Sequence, residues 1–147
     1  MGRVIGLDIG AAWIGVAVGD EDLGVATPRP ELRVKSPEDA LQQVAKLALE
    51  ERAAALVVGL PLTLRGEMGP QAIVVQHFAS QLREATGLPV HLFDERLTSK
   101  GAQAALAEER PRDQRRKGPS RAKPSRDDSP AAALILQGWF DRGKPRE

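Results

Sequence analysis

The chain has 147 residues, of which 41% are apolar, and this is enough for one domain with its own core. Cysteine is absent, which excludes disulfides, thiolate metal sites and thiol nucleophiles, and no apolar stretch approaches the roughly 18 residues of a membrane span. The net charge is only +1, and the first residues, MGRVIGLDIG, lack the features of a signal peptide. We therefore expect a single cytoplasmic domain over residues 1–147.

The first third of the chain predicts three strands and a helix. Arg3–Ile9 and Trp13–Gly19 are β-rich and meet at a short turn, which is typical of a hairpin. Gly24–Val34 can supply a third strand, and its two prolines favour an edge position. Ser36 is then placed to cap a helix, because proline follows at the first helical position and an acid, Asp39, lies three residues after the serine.

The rest of the chain predicts strands that alternate with helices. Ala54–Leu60 is apolar on both faces, as a covered parallel strand should be, and a helix over Pro70–Thr86 is ended by Gly87. The later predicted elements are a strand at Pro89–Phe93, helices at Ser99–Glu109 and Ala131–Phe140, a basic flexible loop at 110–127 and a tail at 142–147. Because crossover connections are short and right-handed, this order predicts an α/β fold with a five-stranded mixed sheet and helices on both faces, compatible with a ribonuclease-H-like fold.

Asp8 places a charge in the middle of an otherwise buried strand. Folds keep an ionised carboxylate out of water only if it is paired, hydrogen-bonded or bound to a cation. Ligands lie at the carboxyl ends of parallel strands, so Asp8 could meet Asp94 or Glu95, and the last helix could add Asp127 or Asp128. Carboxylates without cysteine or a well-placed histidine are typical ligands of Mg²⁺ or Mn²⁺, and a pair of such ions can promote phosphodiester cleavage.

Each of these acids also has a structural interpretation. Asp8 could pair with a lysine or arginine, although its central position favours metal binding. Glu95 could be an acid at a helix start that pairs with Arg96, and Asp94 is better explained as structural. The sequence DDSP at 127–130 is also ordinary capping chemistry.

A basic segment lies between residues 110 and 126. It contains eight lysines and arginines and one acid, whereas the remainder of the chain has thirteen basic and nineteen acidic residues. A basic segment on an acidic body predicts a polyanion such as nucleic acid as partner, although a charge run by itself is also typical of a solvated loop. The candidate substrate-binding residues are Arg115, Arg116, Lys117, Arg121, Lys123 and Arg126.

Four ordered blocks resemble the YqgF/RuvX family, described as Holliday-junction resolvases and as nucleases that process the 5′ end of pre-16S ribosomal RNA. The blocks are GLDIGAAWIGVAVGD, VVGLPLTLRGEMGPQA, DERLTS and DDSPAAALILQ, and together they span almost the whole chain. The resemblance implies a ribonuclease-H-like fold and a catalytic site for Mg²⁺ or Mn²⁺ at Asp8, Glu95 and Asp128. Asp128 is preferred to Asp127 because the last acid of the family lies three residues before a pair of alanines.

Three functions are compatible with these features. The first is a metal-dependent endonuclease for branched DNA or structured RNA, since an aromatic content of 3% leaves few platforms for stacking single-stranded bases. The second is an actin-like or sugar-kinase-like ATPase, suggested by GLDIG, but this chain has no room for the second domain of those folds. The third is a non-catalytic nucleic-acid-binding or ribosome-assembly protein on a nuclease fold.

The oligomeric state bears on the first of these functions. Resolution of a four-way junction needs two cuts related by two-fold symmetry, which predicts a homodimer on the junction. Leu134–Phe140 is the candidate pairing surface through Trp139 and Phe140, but apolar residues at helical spacing are more often core. The sequence therefore favours a monomer in isolation.

Overall fold

The computed structural model describes residues 2–98 and 128–143, which form one sheet with helices on both faces. The strands are β1 (Arg3–Ile9), β2 (Trp13–Asp20), β3 (Val25–Arg33), β4 (Ala53–Leu60) and β5 (Val90–Asp94). The helices are α1 (Pro37–Glu50), α2 (Pro70–Thr86) and α3 (Pro130–Gly138), with a 3-10 turn at Glu95–Leu97 and a π-helical turn at Trp139–Gly143. The predicted helix at 99–109 and the predicted basic loop at 110–127 lie outside the described residues.

The sheet is mixed, with the strand order β3-β2-β1-β4-β5. β1, β2 and β3 form an antiparallel meander, whereas β4 runs parallel to β1 and β5 runs parallel to β4. The proline-containing strand β3 lies at one edge, as its composition predicted. Because β1, β4 and β5 are parallel, their carboxyl ends lie at the same end of the sheet, which we call the carboxyl edge.

Each face of the sheet has its own core. One core contains Ile5 and Leu7 of β1 and is covered by α1 and α2, and the other contains Val4 and is covered by α3. Side chains alternate between the two faces along a strand, so Val4, Gly6 and Asp8 share the face that α3 covers. Gly6 confirms this placement, since a Cβ there would stand 2.7 Å from the Cβ of Leu136 in α3.

The predicted ends of two helices are confirmed. Ser36 caps α1, because its Oγ accepts a hydrogen bond of 3.0 Å from the backbone N–H of Asp39. Gly87 ends α2 in the left-handed conformation, with φ of 71°, and its N–H donates to the carbonyl of Arg83. None of the described helices is long and apolar enough to cross a membrane.

The two aromatic residues that follow α3 pack into the core on the α3 face. Trp139 and Phe140 are 7% and 5% exposed, and the Trp139 ring stacks on His91 with 5.2 Å between ring centroids. The core interpretation of these two residues is therefore confirmed, and they are not available as a pairing surface. The π-helical turn includes the first two residues of the predicted tail, while 144–147 lie outside the described residues.

Candidate acidic site at the carboxyl edge

Asp8 lies near the end of β1 on the α3 face, and it is partly buried. Its partner across the antiparallel pair is Gly15 of β2. A Cβ at Gly15 would stand 3.3 Å from the Cβ of Asp8, which places both positions on the same face. The absence of a side chain at Gly15 therefore leaves room for another side chain next to Asp8.

The side chain of Glu95 lies on the α3 face as well, next to β4. Glu95 follows β5 directly, in the first position of the 3-10 turn, and its side chain lies against Gly59 of β4. A Cβ at Gly59 would stand 2.6 Å from Glu95 Oε2 and 2.5 Å from Cδ1 of Ile135 in α3, so Gly59 also belongs to the α3 face. Only a glycine at this position allows the Glu95 side chain to lie so close to the strand.

β4 lies between β1, which carries Asp8, and β5, which precedes Glu95, and the strand register relates the two acids through β4. Leu7 of β1 pairs with Val58 of β4, and each of these residues directly precedes one of the site positions, Asp8 or Gly59. Because Glu95 lies against Gly59, both carboxyl groups lie on the α3 face at the carboxyl edge. This is the position that the parallel arrangement of β1 and β5 predicted for them.

The start of α3 completes the surroundings of Asp8. Ser129 is 1% exposed and packs over Gly15, so closely that a Cβ at Gly15 would overlap Ser129 Oγ. Asp128 immediately precedes it and is exposed. The helix α3 therefore packs across the sheet, with Ser129 beside Asp8 and Asp128 at the solvent-exposed rim.

Asp94, in contrast, is held by its neighbour Arg96. The guanidinium donates to the carboxylate with distances of 2.6 Å from Nη2 to Oδ2 and 3.0 Å from Nε to Oδ1, and the Arg96 backbone N–H donates at 2.9 Å. The side-chain hydrogen bond from Arg96 holds the pKa of Asp94 below its usual value, although partial burial opposes this shift. These contacts agree with the structural interpretation of Asp94.

Arg96 also fixes the loop that connects β4 to α2. Its Nη1 donates to the carbonyl of Leu64 at 2.9 Å, and a Cβ at Gly66 would stand only 3.3 Å from Nη1. Gly66 has a φ of 81°, a conformation that glycine adopts without steric cost. Through Arg96, the loop is tied to the same 3-10 turn that carries Glu95.

The acids of the described residues do not form a closed metal cage. Within residues 2–98 and 128–143, there is no group of three or more histidine, aspartate and glutamate side chains that could hold a metal ion. Mg²⁺ does not require such a group, because it commonly retains several waters and is bound by one or two carboxylates together with substrate phosphates. Asp8 and Glu95 are two carboxylates at the carboxyl edge, so the chemistry of these residues fits this mode of binding.

A buried hydroxyl group strengthens this fit. Ser129 Oγ has no hydrogen-bond partner among the described residues, although it is buried next to Asp8. Buried polar atoms in native proteins are nearly always hydrogen-bonded, so an exception calls for an explanation, such as a catalytic role or a bound ion or water. The surroundings of Asp8 therefore contain hydrogen-bonding capacity that the described protein atoms do not use.

Several predicted residues lie outside the described part of the chain, so their assignments remain predictions. These are Asp127 and the candidate substrate-binding residues Arg115, Arg116, Lys117, Arg121, Lys123 and Arg126.

Other residues of the site were not identified from the sequence. Gly15 and Gly59 interrupt apolar strands, and a glycine inside a strand often marks a close approach of another group, which was the available signal. Ser129 could not be identified because the sequence DDSP around it is typical of helix capping. The sequence allows Arg96 to pair with Glu95, whereas in the structure its guanidinium pairs with Asp94.

Comparison with known proteins gives a family match over nearly the whole chain. The family described as "RuvX: Holliday junction resolvase" matches residues 2–142. A protein of Chloroflexus aurantiacus is 43% identical over 139 residues, which cover 94% of this chain and 86% of the relative. A protein of Anaeromyxobacter sp. (strain K) is 40% identical over 144 residues, which cover 97% of this chain and 99% of the relative. Both relatives carry the name "Putative pre-16S rRNA nuclease".

Solved structures show the same architecture at low sequence identity. The RuvC protein of Thermus thermophilus in complex with a Holliday junction substrate is 16% identical, with a TM-score of 0.56 and coverage of 96% of this chain and 94% of RuvC. A second structure of Thermus thermophilus RuvC gives a TM-score of 0.52. The expected ribonuclease-H-like fold is thus confirmed.

Proposed function

We propose that this protein is a divalent-metal-dependent endonuclease that cleaves phosphodiester bonds in structured nucleic acid. The starting point is that the chain belongs to the RuvX family. One observation carries the proposal: Asp8 and the Glu95 side chain over Gly59 lie on one face of the sheet at the carboxyl edge. Two acids placed in this way, partly buried and without cysteine nearby, suit a hard cation better than they suit nucleophilic or acid–base catalysis alone.

In this proposal Asp8 and Glu95 hold Mg²⁺ or Mn²⁺, and Asp128 contributes from the exposed rim. The bound cation would activate a water and stabilise the leaving oxygen of the phosphodiester. Asp8 is fixed by β1 and Glu95 by the 3-10 turn, so both carboxyl groups are held on rigid elements rather than on a long loop. The Asp94–Arg96 pair, which adjoins Glu95, serves to keep that turn in place.

The substrate is proposed to be a branched or folded duplex that is recognised through its phosphates. Arg115, Arg116, Lys117, Arg121, Lys123 and Arg126 supply the positive charge for this contact. Phosphate contacts position a nucleic acid without reading its sequence, and DNA and RNA present the same phosphates. The family description names Holliday junctions and the relatives' names point to precursor ribosomal RNA, so both are candidate substrates, and the second implies action in the cytoplasm.

A side-by-side cleavage assay distinguishes these substrates. The parent protein is incubated with a four-way DNA junction and with precursor 16S ribosomal RNA, each in Mg²⁺ and in excess chelator, and Asp8→Asn serves as the control for contaminating nuclease. We expect cleavage of at least one substrate that requires metal and Asp8. Binding of both substrates without any metal-dependent cleavage would instead support the non-catalytic function.

The number of subunits on the substrate separates the two activities further. If the protein resolves junctions, sedimentation should show two copies per junction, and the nicks should be paired and symmetric. One copy per junction, together with efficient single cuts in RNA, would rule out resolution and leave RNA processing. Because Trp139 and Phe140 are buried, a dimer would have to form through other residues.

A further inference from the structure

Two helices of this fold begin with the same Ser-Pro sequence, and their serines behave differently. Ser36 caps α1 by accepting a hydrogen bond from the backbone N–H of Asp39 at 3.0 Å. Ser129 is in the corresponding position before α3, but its side chain makes no capping hydrogen bond. Its hydroxyl is buried and has no hydrogen-bond partner among the described residues. Capping therefore accounts for Ser36 and does not account for Ser129.

The location of Ser129 indicates what its hydroxyl group could serve. A Cβ placed on Gly15 would overlap Ser129 Oγ and would stand 3.3 Å from the Cβ of Asp8, so both side chains lie next to Gly15. The amino end of α3, whose first backbone N–H groups carry partial positive charge, begins at the same point. Asp8 lies next to this point, and its carboxylate can accept a hydrogen bond.

A buried hydroxyl without a partner destabilises a fold, because it has lost its hydrogen bonds to water and gained none in return. Replacement of such a serine by alanine should therefore leave the folded protein as stable as before or make it more stable. A capping serine behaves in the opposite way, since its loss removes a hydrogen bond from the helix start. The two roles thus predict opposite effects on stability for the same substitution.

We propose that Ser129 is a positioning residue for Asp8: its hydroxyl donates a hydrogen bond to the Asp8 carboxylate when that carboxylate binds a divalent cation. Carboxylates that bind metal ions are commonly oriented by such hydrogen bonds, and loss of one weakens metal affinity by about 10- to 100-fold. Gly15 is part of this arrangement, since its lack of a side chain leaves room for the Ser129 hydroxyl near Asp8. The inference rests on the proposed function, which assigns a metal to Asp8.

The test compares Ser129→Ala with Ser36→Ala, a matched change in the other Ser-Pro sequence. Mn²⁺ affinity is measured for the full chain by calorimetry or by the spin-resonance signal of free Mn²⁺, and unfolding temperature is measured in chelator. We expect Ser129→Ala to bind Mn²⁺ about 10-fold more weakly or worse, with an unfolding temperature equal to or above that of the parent. Ser36→Ala should unfold at a lower temperature and keep the parent's Mn²⁺ affinity.

Mn²⁺ affinity decides the outcome. If Ser129→Ala binds Mn²⁺ as tightly as the parent, Ser129 does not position Asp8 and the inference is wrong. Asp8→Asn separates this failure from failure of the proposed function. If Asp8→Asn binds Mn²⁺ more weakly and Ser129→Ala does not, the metal site is supported and only the role of Ser129 is wrong. If both Asp8→Asn and Glu95→Gln bind Mn²⁺ as tightly as the parent, the metal site itself is wrong.

Discussion

Replacement of Gly59 by alanine should damage the site through crowding, without removing any acid. The new Cβ would stand 2.6 Å from Glu95 Oε2, 2.9 Å from Glu95 Cγ and 2.5 Å from Ile135 Cδ1. Ordinary contacts between carbon atoms are about 3.5–4.0 Å, so Glu95 must move by roughly 1 Å unless the strand shifts. A displacement of about 1 Å can reduce catalysis about 100-fold, and overpacking of this kind commonly costs about 1–3 kcal/mol of stability.

Gly19→Ala is the matched control for this prediction. Gly19 lies in β2 at the opposite end of the sheet, and a Cβ there would stand 2.5 Å from the carbonyl oxygen of Val25 and 2.7 Å from the ring of Phe140. This change overpacks the same layer without touching either acid of the site. Both variants should lose stability in thermal or denaturant unfolding, because each forces atoms apart in a packed core.

The cleavage rate of Gly59→Ala should nevertheless be about 100-fold below that of the parent, measured in single turnover at saturating Mg²⁺ and at a temperature where both variants remain folded. Gly19→Ala should cut at close to the parent rate under the same conditions. Equal rates for Gly59→Ala and Gly19→Ala would show that the position of Glu95 against Gly59 does not matter for catalysis.

Three further changes test other parts of the structure. Asp94→Asn should be less stable than the parent at pH 7, and the difference in stability should shrink as pH falls below about 4, because the lowered pKa of Asp94 contributes stability only above the ordinary carboxyl range. Denaturant unfolding at several pH values checks this, and a difference in stability that does not depend on pH would contradict it. Simultaneous replacement of Arg115, Arg116 and Lys117 by alanine should weaken binding to every duplex alike and flatten its dependence on salt by up to about 0.9 per lost contact; an unchanged slope would instead indicate a solvated loop. Asp8→Asn should unfold in chelator at the parent's temperature or above it, since repulsion between neighbouring carboxylates is relieved, and a clear decrease would argue that Asp8 supports the fold.

Much of the fold could be predicted because its local signals agree with its packing. Arg3–Ile9 and Pro70–Thr86 were predicted with the bounds that the structure has, and Ser36 and Gly87 act as the predicted cap and stop. The edge position of β3 followed from its prolines, which cannot donate to a neighbouring strand. In each case a short stretch of sequence contains the physical cause of the structure that it forms.

The surroundings of the acids could not be predicted in the same way, because they depend on contacts between distant parts of the chain. Gly15 and Ser129 are far apart in sequence, and only the packing of α3 across the sheet brings them together. The shared Ser-Pro sequence likewise does not indicate that Ser36 caps its helix and that Ser129 does not. The burial of Trp139 and Phe140 also depends on this packing, which is why the sequence left core and surface as alternatives.

The most direct test of a metal-dependent nuclease site at the carboxyl edge is a Mg²⁺ titration of single-turnover cleavage. The parent, Asp8→Asn and Glu95→Gln are each titrated on whichever of the four-way junction and the precursor ribosomal RNA the parent cuts. We predict that parent cleavage rises from zero with Mg²⁺, and that both variants bind the substrate but do not cut it at any Mg²⁺ concentration. Cleavage by Asp8→Asn at the parent rate in saturating Mg²⁺ would contradict the assignment of the site.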